Sequence, residues 1–361
     1  MSQQEIMDSI CQFIKRDQSS EEGFNDLALH LFAYQYKNNL SYQAYCLQKG
    51  RTPRTVKMWS QIPSVPINAF KEVTLSSNNP NEAERIFMTS GTTQGIQGKH
   101  YHPALQVYDQ SMTVNFNKRF MKNSEKIRMG ILFPTEEEMP NSSLAHYLAL
   151  AVKEFGTEDS SYFISERGLE IESLITGLEQ AQRTGEPYAL LGASYSFVHM
   201  LDELEKIGGV FSLPKGSSIL DTGGFKNNSR HLELDDFYDR LSARLGVARK
   251  DCINMYGMTE LSTQFYDQGN AEIPSVKSGP HWIRTRVINP LTGQTVPKGE
   301  QGVLVHCDLA NFNSVTTILT EDIGVEVESG FLLKGRAQGA EAKGCSLALE
   351  EFIRAKKGNS L

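Results

Sequence analysis

Basic residues are in short supply in this sequence, with 36 Lys and Arg against 43 Asp and Glu and a formal net charge of −7. A general nucleic-acid binder normally carries a strong basic excess, so this balance argues against that class and leaves open only a local basic pocket for a nucleotide. Long apolar runs are absent too. No window approaches the roughly 18 apolar residues of a spanning helix, and residues 1–20 lack the apolar core of a signal peptide. We expect a cytoplasmic protein with no membrane span and no nucleic-acid partner.

Cysteine is scarce and odd in number: the chain has Cys11, Cys46, Cys252, Cys307 and Cys345. No two of them form a Cys-x-x-Cys pair, which argues against a structural zinc site or a thioredoxin-like couple. In a reducing compartment they are expected to be free thiols. Cys252 and Cys307 lie in strand-like runs and are expected to be small buried apolar residues.

What the sequence does have is an alternation of strand-like and helix-like segments. Short apolar runs occur at Met129–Phe133, Tyr188–Leu191, Ser218–Leu220 and Cys252–Met255, each ending at a loop. Helical patterns lie between them. This order predicts an α/β body with a largely parallel sheet.

The length of 361 residues leaves room for more than one domain. Residues 3–50 are predicted to be helical, and the pattern becomes β-rich after about 275. We therefore predict a body of helical N-terminus and α/β segments over 1–274, a smaller β-rich subdomain over 275–334 and a short C-terminal arm over 335–361.

A Gly/Thr-rich loop, Thr89-Ser-Gly-Thr-Thr-Gln-Gly95, follows a predicted strand, with Gly98-Lys99 just beyond it. Hydroxyls and glycine amides in such a loop surround phosphate oxygens, because successive backbone donors form an anion-binding concavity. The loop is not a Walker A motif. Thr93 stands where that motif has its first Gly, and His100 follows Lys99 where Ser or Thr is required.

This string resembles the phosphate-binding signature of the acyl-adenylate-forming enzymes, and four later segments resemble that superfamily in the same order. They are Gly223-Gly224, Tyr256-Gly-Met-Thr-Glu260, Asp322 and Gly335-Arg336. The resemblance implies an α/β adenylating body with a smaller subdomain, ATP as a substrate, Thr259 as a phosphate contact and Glu260 as the Mg²⁺ ligand. The ATP-binding residues that it implies are Ser90, Gly91, Thr92, Thr93, Gly95, Lys99, Gly223, Gly224, Tyr256, Gly257, Asp322 and Arg336.

The segment Gly344-Cys345-Ser346-Leu347 resembles, more narrowly, the acyl-protein synthetases of bacterial bioluminescence fatty-acid reductases. Asn141–His146 and Asp221–Lys226 resemble segments of the same family. Such a protein activates a fatty or other carboxylic acid as acyl-AMP, moves the acyl group to its own near-terminal cysteine and delivers it to a reductase partner. The resemblance thus implies that Cys345, Glu260 and Thr259 are catalytic.

The residues around Cys345 favour a nucleophilic role on their own account. Ser346 is predicted to cap a helix over Leu347–Lys357, which places Cys345 just before a helix N-terminus. Partial positive charge there lowers the pKa of a thiol, and Lys343 adds a cation. Glycines along residues 330–344 are expected to let this arm swing.

This sequence differs from those of the larger relatives in two respects, and these differences leave the roles of some residues open. Gln94 interrupts the usual Thr-Thr-Gly run, and the catalytic Lys that those relatives keep in a large C-terminal domain has no counterpart. Lys226 and Lys99 are the candidates to replace it, while His146 and His199 are candidates to assist. Two other functions remain open: a coenzyme A ligase of the same superfamily, and a non-catalytic nucleotide-binding subunit of a reductase complex.

Overall fold

The structure, a computed structural model, describes residues 2–90, 95–122, 124–225 and 229–358. The chain forms two compact units. Unit 1 comprises residues 1–114, 258–263 and 278–361, and unit 2 comprises residues 115–257 and 264–277. The domain boundaries expected near 275 and 335 remain predictions.

Helices begin the chain and recur between strands. They are α1 (Gln3–Ile14), α2 (Glu21–Asn38), α3 (Leu40–Gln48), α4 (Ala69–Glu72), α5 (Gln106–Phe116), α6 (Ser143–Phe155), α7 (Ile171–Thr184), α8 (Ser194–Lys206), α9 (Leu234–Leu245) and α10 (Gly339–Gly358). Serine hydroxyls satisfy the first free amides of several of them. Ser2, Ser20 and Ser142 accept hydrogen bonds from the first turns of α1, α2 and α6.

The strands are mostly short. They are β1 (Val65–Pro66), β2 (Arg85–Met88), β3 (Lys99–His102), β4 (Arg128–Leu132), β5 (Ser161–Tyr162), β6 (Ile164–Ser165), β7 (Gly168–Leu169), β8 (Tyr188–Ala193), β9 (Ser218–Thr222), β10 (Cys252–Tyr256), β11 (Phe265–Tyr266), β12 (Val276–Lys277), β13 (Ile283–Ile288), β14 (Gln301–Asp308), β15 (Thr317–Val327) and β16 (Gly330–Arg336).

Unit 2 is built on a mainly parallel sheet. Strands β5, β4, β8, β9 and β10 are parallel neighbours in that order, and β11 is antiparallel to β10 at the edge. Every residue of β8 is buried, as expected of a strand with both faces covered. Leu178, Phe197 and Leu241 from α7, α8 and α9 share one apolar core with the sheet. The predicted parallel α/β body is confirmed.

Unit 1 is built on an antiparallel sheet and the N-terminal helices. Strands β16, β15, β14 and β13 are antiparallel neighbours, and β1 pairs in parallel with the first part of β15. The side chain of Gln35 in α2 is fully buried, donates to Asn311 O at 2.7 Å and accepts from Thr316 N at 2.8 Å. These bonds join α2 to the loop between β14 and β15.

Helix α10 packs against α3, α4, β1 and β15. Phe352 is fully buried with its ring centroid 4.9 Å from that of Tyr45, and Lys49 Nζ lies 2.5 Å from Glu351 Oε2. Gly344 allows a close approach, because a methyl group there would lie 2.8 Å from Pro290 Cβ. In the described part of the chain, no helix combines the length and apolar character needed to cross a membrane.

Candidate active site

Strands β2 and β3 form a hairpin whose loop carries the Gly/Thr-rich segment. Thr89 N donates to Gly98 O at 3.0 Å, and Gly98 N donates to Thr89 Oγ1 at 2.9 Å, which closes the base of the loop. Ser90 and Gly95 are exposed above this base, and Lys99 is the exposed first residue of β3. The predicted ligands Gly91, Thr92 and Thr93 lie outside the described residues.

Glu260 lies at the base of this loop, within unit 1. A methyl group at Gly98 would lie 3.5 Å from Glu260 Oε1 and equally far from Phe70 Cβ. The base of the Gly/Thr-rich loop and the end of the Tyr256–Glu260 motif are therefore neighbours.

His100 fixes the position of the predicted phosphate contact Thr259. Its Nδ1 lies 2.9 Å from Thr259 O and its Nε2 lies 3.1 Å from Ser314 Oγ. Because a carbonyl only accepts, Nδ1 carries the proton and Nε2 accepts from the serine hydroxyl. Burial lowers the pKa of His100 to about 4, so the neutral ring is the form that makes both bonds.

The depressed pKa of His100 predicts an acid-sensitive unit 1. The unfolded chain takes up this proton below its ordinary pKa of about 6.5, whereas the folded ring stays neutral down to about 4. Stability is therefore lost as the pH falls through this window, by a total on the order of 3 kcal/mol from this residue. Urea unfolding followed by tryptophan fluorescence measures it, since Trp59 and Trp282 both lie in unit 1.

His100→Gln is the comparison variant, and it should lose less stability than the parent between pH 6.5 and pH 4. Equal losses in the two proteins would show that His100 does not control the acid sensitivity.

The carboxyl group of Glu260 has an unusually high pKa. Its residue is 4% exposed, and burial raises its pKa to about 7, although the cations Lys71 and Arg336 oppose that shift. The backbone on either side is held in place: Asn311 Nδ2 donates to Glu260 O at 2.8 Å, and Ser262 N donates to Asn311 Oδ1 at 2.8 Å.

The donor set around Glu260 fits one mode of magnesium binding. In the part of the chain that the structure describes, no three His, Cys, Asp or Glu side chains come together as a metal site. Magnesium, however, is usually held by one or two carboxylates together with substrate phosphates and water. A single buried carboxylate beside a Gly/Thr-rich loop provides that arrangement.

Asp322 and Arg336 face each other on β15 and β16. Arg336 Nη1 lies 3.2 Å from Asp322 Oδ1, and its Nη2 lies 2.9 Å from Glu321 Oε2. Asp322 is buried and Arg336 is exposed, so solvent reaches the guanidinium more readily than its carboxylate partner. Both residues act electrostatically on Glu260, which places the pair in the same neighbourhood.

Cys345 corrects the prediction made for the C-terminal arm. Helix α10 begins at Gly339, so Cys345 lies inside the helix, and Ser346 does not cap it: Ser346 Oγ donates to Ala342 O at 3.0 Å. The thiol is 4% exposed and lies 3.7 Å from Thr320 O on β15. Burial raises its pKa to about 11, the opposite of the shift that was predicted from a helix N-terminus.

In unit 2, the predicted nucleotide residues follow two adjacent parallel strands. Gly223 comes directly after β9 with φ of 82°, a left-handed conformation that favours glycine, and Gly224 follows it. Tyr256 ends β10 and Gly257 follows. Thr222 Oγ1 donates to Met255 O at 2.9 Å, so the two pairs of residues are neighbours. Ligands bind at such carboxyl ends in open α/β sheets.

A buried polar network lies under these strand ends. Asp221 of β9 accepts from Ser194 Oγ at 2.6 Å, Tyr238 OH at 2.9 Å and Asn254 Nδ2 at 2.8 Å. Burial raises the pKa of Asp221, and these donors oppose that shift. Lys277 Nζ donates to Asn254 Oδ1 at 2.6 Å and so extends the network. It ties the start of α8 and helix α9 to β9 and β10, just before the two glycine-containing turns.

Sequence reasoning missed three groups that shape these sites, His100, Asn311 and Lys71, and it gave Asp221 no role beyond its place in a segment that resembles the family. Of the two histidines that it proposed to assist, His146 lies in unit 2 with its Nδ1 2.7 Å from Glu136 Oε1. Glu136 precedes α6, the helix that carries His146. Lys226, proposed as a cation, lies outside the described residues.

The family described as acyl-protein synthetase, LuxE, matches residues 3–354. The chain belongs to this family. That membership confirms the resemblance and the predicted enzyme class, an AMP-forming acyl-protein synthetase, and it favours this function over the coenzyme A ligase alternative.

Two curated relatives of this acyl-protein synthetase are long-chain-fatty-acid–luciferin-component ligases. The one from Vibrio harveyi is 23% identical over 90% of this chain and 86% of its own length. The one from Aliivibrio fischeri is 24% identical over 91% and 88%.

Solved structures show the fold of this acyl-protein synthetase. A 2-hydroxyisobutyryl-CoA ligase in complex with 2-HIB-AMP has a TM-score of 0.66 at 12% identity, covering 88% of this chain and 67% of that chain. ATP-bound MatB from Rhodopseudomonas palustris has a TM-score of 0.51 at 16% identity, covering 72% of this chain and 49% of that chain. The predicted fold class is confirmed by both.

Proposed function

We propose that this acyl-protein synthetase uses ATP to activate a long-chain fatty acid as acyl-AMP and then transfers the acyl group to its own Cys345. One observation carries the residue assignment. Within unit 1, Cys345 lies against β15 and in electrostatic range of Asp322 and Arg336, and this same pair acts on Glu260. Within unit 1, this supports a shared neighbourhood for the carrier thiol, Glu260 and the Asp322–Arg336 pair.

In the first step, a carboxylate oxygen of the fatty acid forms a bond to the α-phosphorus of ATP. The bond from that phosphorus to the bridging oxygen breaks, and pyrophosphate leaves with the electron pair. Ser90, Thr92, Thr93 and Thr259 orient the phosphates through hydroxyl donors, since Ser, Thr and backbone amides recognise phosphate oxygens. The other ATP-binding residues take the roles that the family resemblance implies. Among them, Asp322 and Arg336 contact the ribose of ATP.

Glu260 is the residue that would hold Mg²⁺, which when bound offsets negative charge on the phosphates. The role of the protein is to place one buried carboxylate next to the phosphate loop. His100 and Asn311 fix the backbone of residues 259–260 on either side, so Glu260 is positioned before any substrate arrives.

In the second step, Cys345 Sγ attacks the acyl carbon, the bond from that carbon to the phosphate oxygen breaks, and AMP leaves with the electron pair. The thiol proton passes to solvent. A thiol with a pKa of about 11 is almost wholly protonated at neutral pH, and the thiolate is the nucleophile. Because Cys345 is also buried against Thr320 O of β15, we expect α10 to loosen from β15 before transfer, which returns the thiol towards its ordinary pKa of about 8.5.

A reductase partner that takes the acyl group from Cys345 follows from the family resemblance and belongs to this proposal. Thioester chemistry also fits a reducing compartment such as the cytoplasm, where cysteines stay unpaired. All five cysteines are free in the structure.

ATP–pyrophosphate exchange tests the first step. The purified protein is incubated with ATP, Mg²⁺ and radiolabelled pyrophosphate, together with carboxylic acids of increasing chain length. Label should enter ATP only when a fatty acid is present. An absence of exchange with every acid would support the non-catalytic subunit instead, and free acyl-coenzyme A as the product would support the ligase alternative.

The docked state of Cys345 predicts slow alkylation. At pH 8 its thiolate fraction is small, so iodoacetamide should modify it roughly 10²-fold more slowly than an exposed thiol. Phe352→Ala removes a fully buried ring that holds α10 and should speed the modification. Leu347→Ala is the matched control, because Leu347 is 48% exposed on the same helix.

Peptide mapping assigns the label to Cys345 among the five cysteines. Rapid alkylation of Cys345 in the parent, or equal rates in Phe352→Ala and Leu347→Ala, would contradict the docked state.

A further inference from the structure

Lys71 lies on α4, a short helix that follows β1 and packs against β3 and α10. The preceding residue, Phe70, approaches Gly98 to the same 3.5 Å as Glu260 Oε1 does, measured from a methyl group at Gly98. Its ring also meets that of His100 edge-on at 5.8 Å. Helix α4 therefore forms one wall of the space around Glu260 at the base of the phosphate loop.

Lys71 differs from the other cation in this neighbourhood in having no hydrogen bond or ion pair with a described residue. Lys71 and Arg336 both act on the Glu260 carboxylate. Arg336 is already paired with Glu321 and Asp322. The side chain of Lys71 is half-buried, and no described residue gives it a hydrogen bond or an ion pair. A half-buried lysine on the wall of this space that acts electrostatically on a buried carboxylate, with no hydrogen bond or ion pair to a described residue, is suited to an anionic ligand.

The chemistry of the first step requires such a group. A carboxylate that attacks the α-phosphorus brings two anions together, and negative charge builds up on the leaving pyrophosphate. Preorganised cations aimed at this charge are among the largest contributors to catalysis of phosphoryl and nucleotidyl transfer. The sequence suggested Lys99 for this task, but Lys99 is exposed at the start of β3.

We propose that Lys71 is the catalytic cation of the adenylation step, its ammonium group contacting phosphate oxygens of ATP as the carboxylate attacks. This inference rests on the proposed function. Lys71 keeps its proton throughout; the bond formed is carboxylate oxygen to α-phosphorus, and the bond broken releases pyrophosphate. Lys71 acts before acyl-AMP exists, so the later transfer to Cys345 does not need it.

The test compares Lys71→Met and Lys71→Arg with the control variant Lys57→Met, since Lys57 is an exposed lysine earlier in the chain. Pyrophosphate exchange should fall roughly 10²–10³-fold in Lys71→Met. It should recover at least tenfold in Lys71→Arg, which keeps the charge, and stay at the parental rate in Lys57→Met. When synthetic acyl-AMP is supplied, Lys71→Met should acylate Cys345 within about threefold of the parent.

If the rate of pyrophosphate exchange by Lys71→Met lies within threefold of the rate for Lys57→Met, the inference is overturned. So would the loss of both half-reactions together with a lower urea midpoint, since that combination shows a structural role. Failure of the parent to exchange pyrophosphate with any acid is a different result, because it removes the proposed function itself and the inference with it.

Discussion

Cys345→Ala is expected to abolish acylation of the protein and to leave pyrophosphate exchange at the parental rate. The substitution removes only the acceptor sulfur, and Glu260 and the phosphate loop keep their contacts. Acyl-AMP should therefore accumulate on the enzyme, and no acyl mass increment should appear. Cys345→Ser should be nearly as poor, because an alcohol without an adjacent base is far less nucleophilic than a thiolate at neutral pH.

Cys11→Ala is the control for this experiment, since Cys11 is a buried thiol of α1. That variant should be acylated like the parent. A hydroxylamine-sensitive acyl group on Cys345→Ala would mean that another cysteine is the carrier. Loss of exchange in Cys345→Ala would mean that the two half-reactions are not separable as proposed.

Glu260→Gln is expected to slow adenylation by roughly 10²–10³-fold, the typical loss when one preorganised electrostatic group is removed. Gln keeps the size of the side chain but removes the negative charge that would hold Mg²⁺. Thr92→Ala should impair the same step, as the family resemblance implies. Initial rates of pyrophosphate exchange at saturating ATP measure both effects.

Glu82→Gln serves as the matched control, because Glu82 is an exposed glutamate before β2. Its exchange rate should equal that of the parent. Higher Mg²⁺ concentrations should restore part of the activity of Glu260→Gln if the lost group is a metal ligand. Rates within a few-fold of the parent for both Glu260→Gln and Thr92→Ala would refute the assigned site.

Local patterns were sufficient to predict the sheet of unit 2. Strands such as β8 are continuous apolar runs that end at a turn, and their helices carry the complementary spacing, so the parallel α/β order follows from neighbouring residues. The turn residues Gly223 and Tyr256 were instead proposed from the family resemblance, and their role remains a prediction. Each stands at the end of its own strand, and adjacent parallel strands bring such ends together.

The C-terminal arm could not be predicted in the same way. Gly339 and Gly344 are poor helix formers, so the sequence predicted a helix only from Leu347. Tertiary packing overrides that propensity: Gly344 lies against Pro290 and Phe352 is buried beside Tyr45. The thiol pKa was predicted in the wrong direction as a consequence, because it depends on where the helix starts and on what covers the sulfur.

Lys71 and His100 were missed because their roles depend on contacts distant in sequence. Helix α4 has only four residues, too few to show a helical periodicity in the sequence. The side chains of β3 alternate between buried and more exposed positions, and His100 occupies a buried position in this ordinary strand pattern. Its bond to Thr259 O becomes visible only when the hairpin and the motif are placed together.

The most direct test of the central claim is intact mass measurement after incubation with ATP, Mg²⁺ and a long-chain fatty acid, followed by peptide mapping. One acyl group should be added per chain, it should map to the peptide that contains Cys345, and neutral hydroxylamine should release it. A mass unchanged in the presence of active pyrophosphate exchange, or an acyl group mapped to a different residue, would contradict the assignment of Cys345 as the acyl carrier.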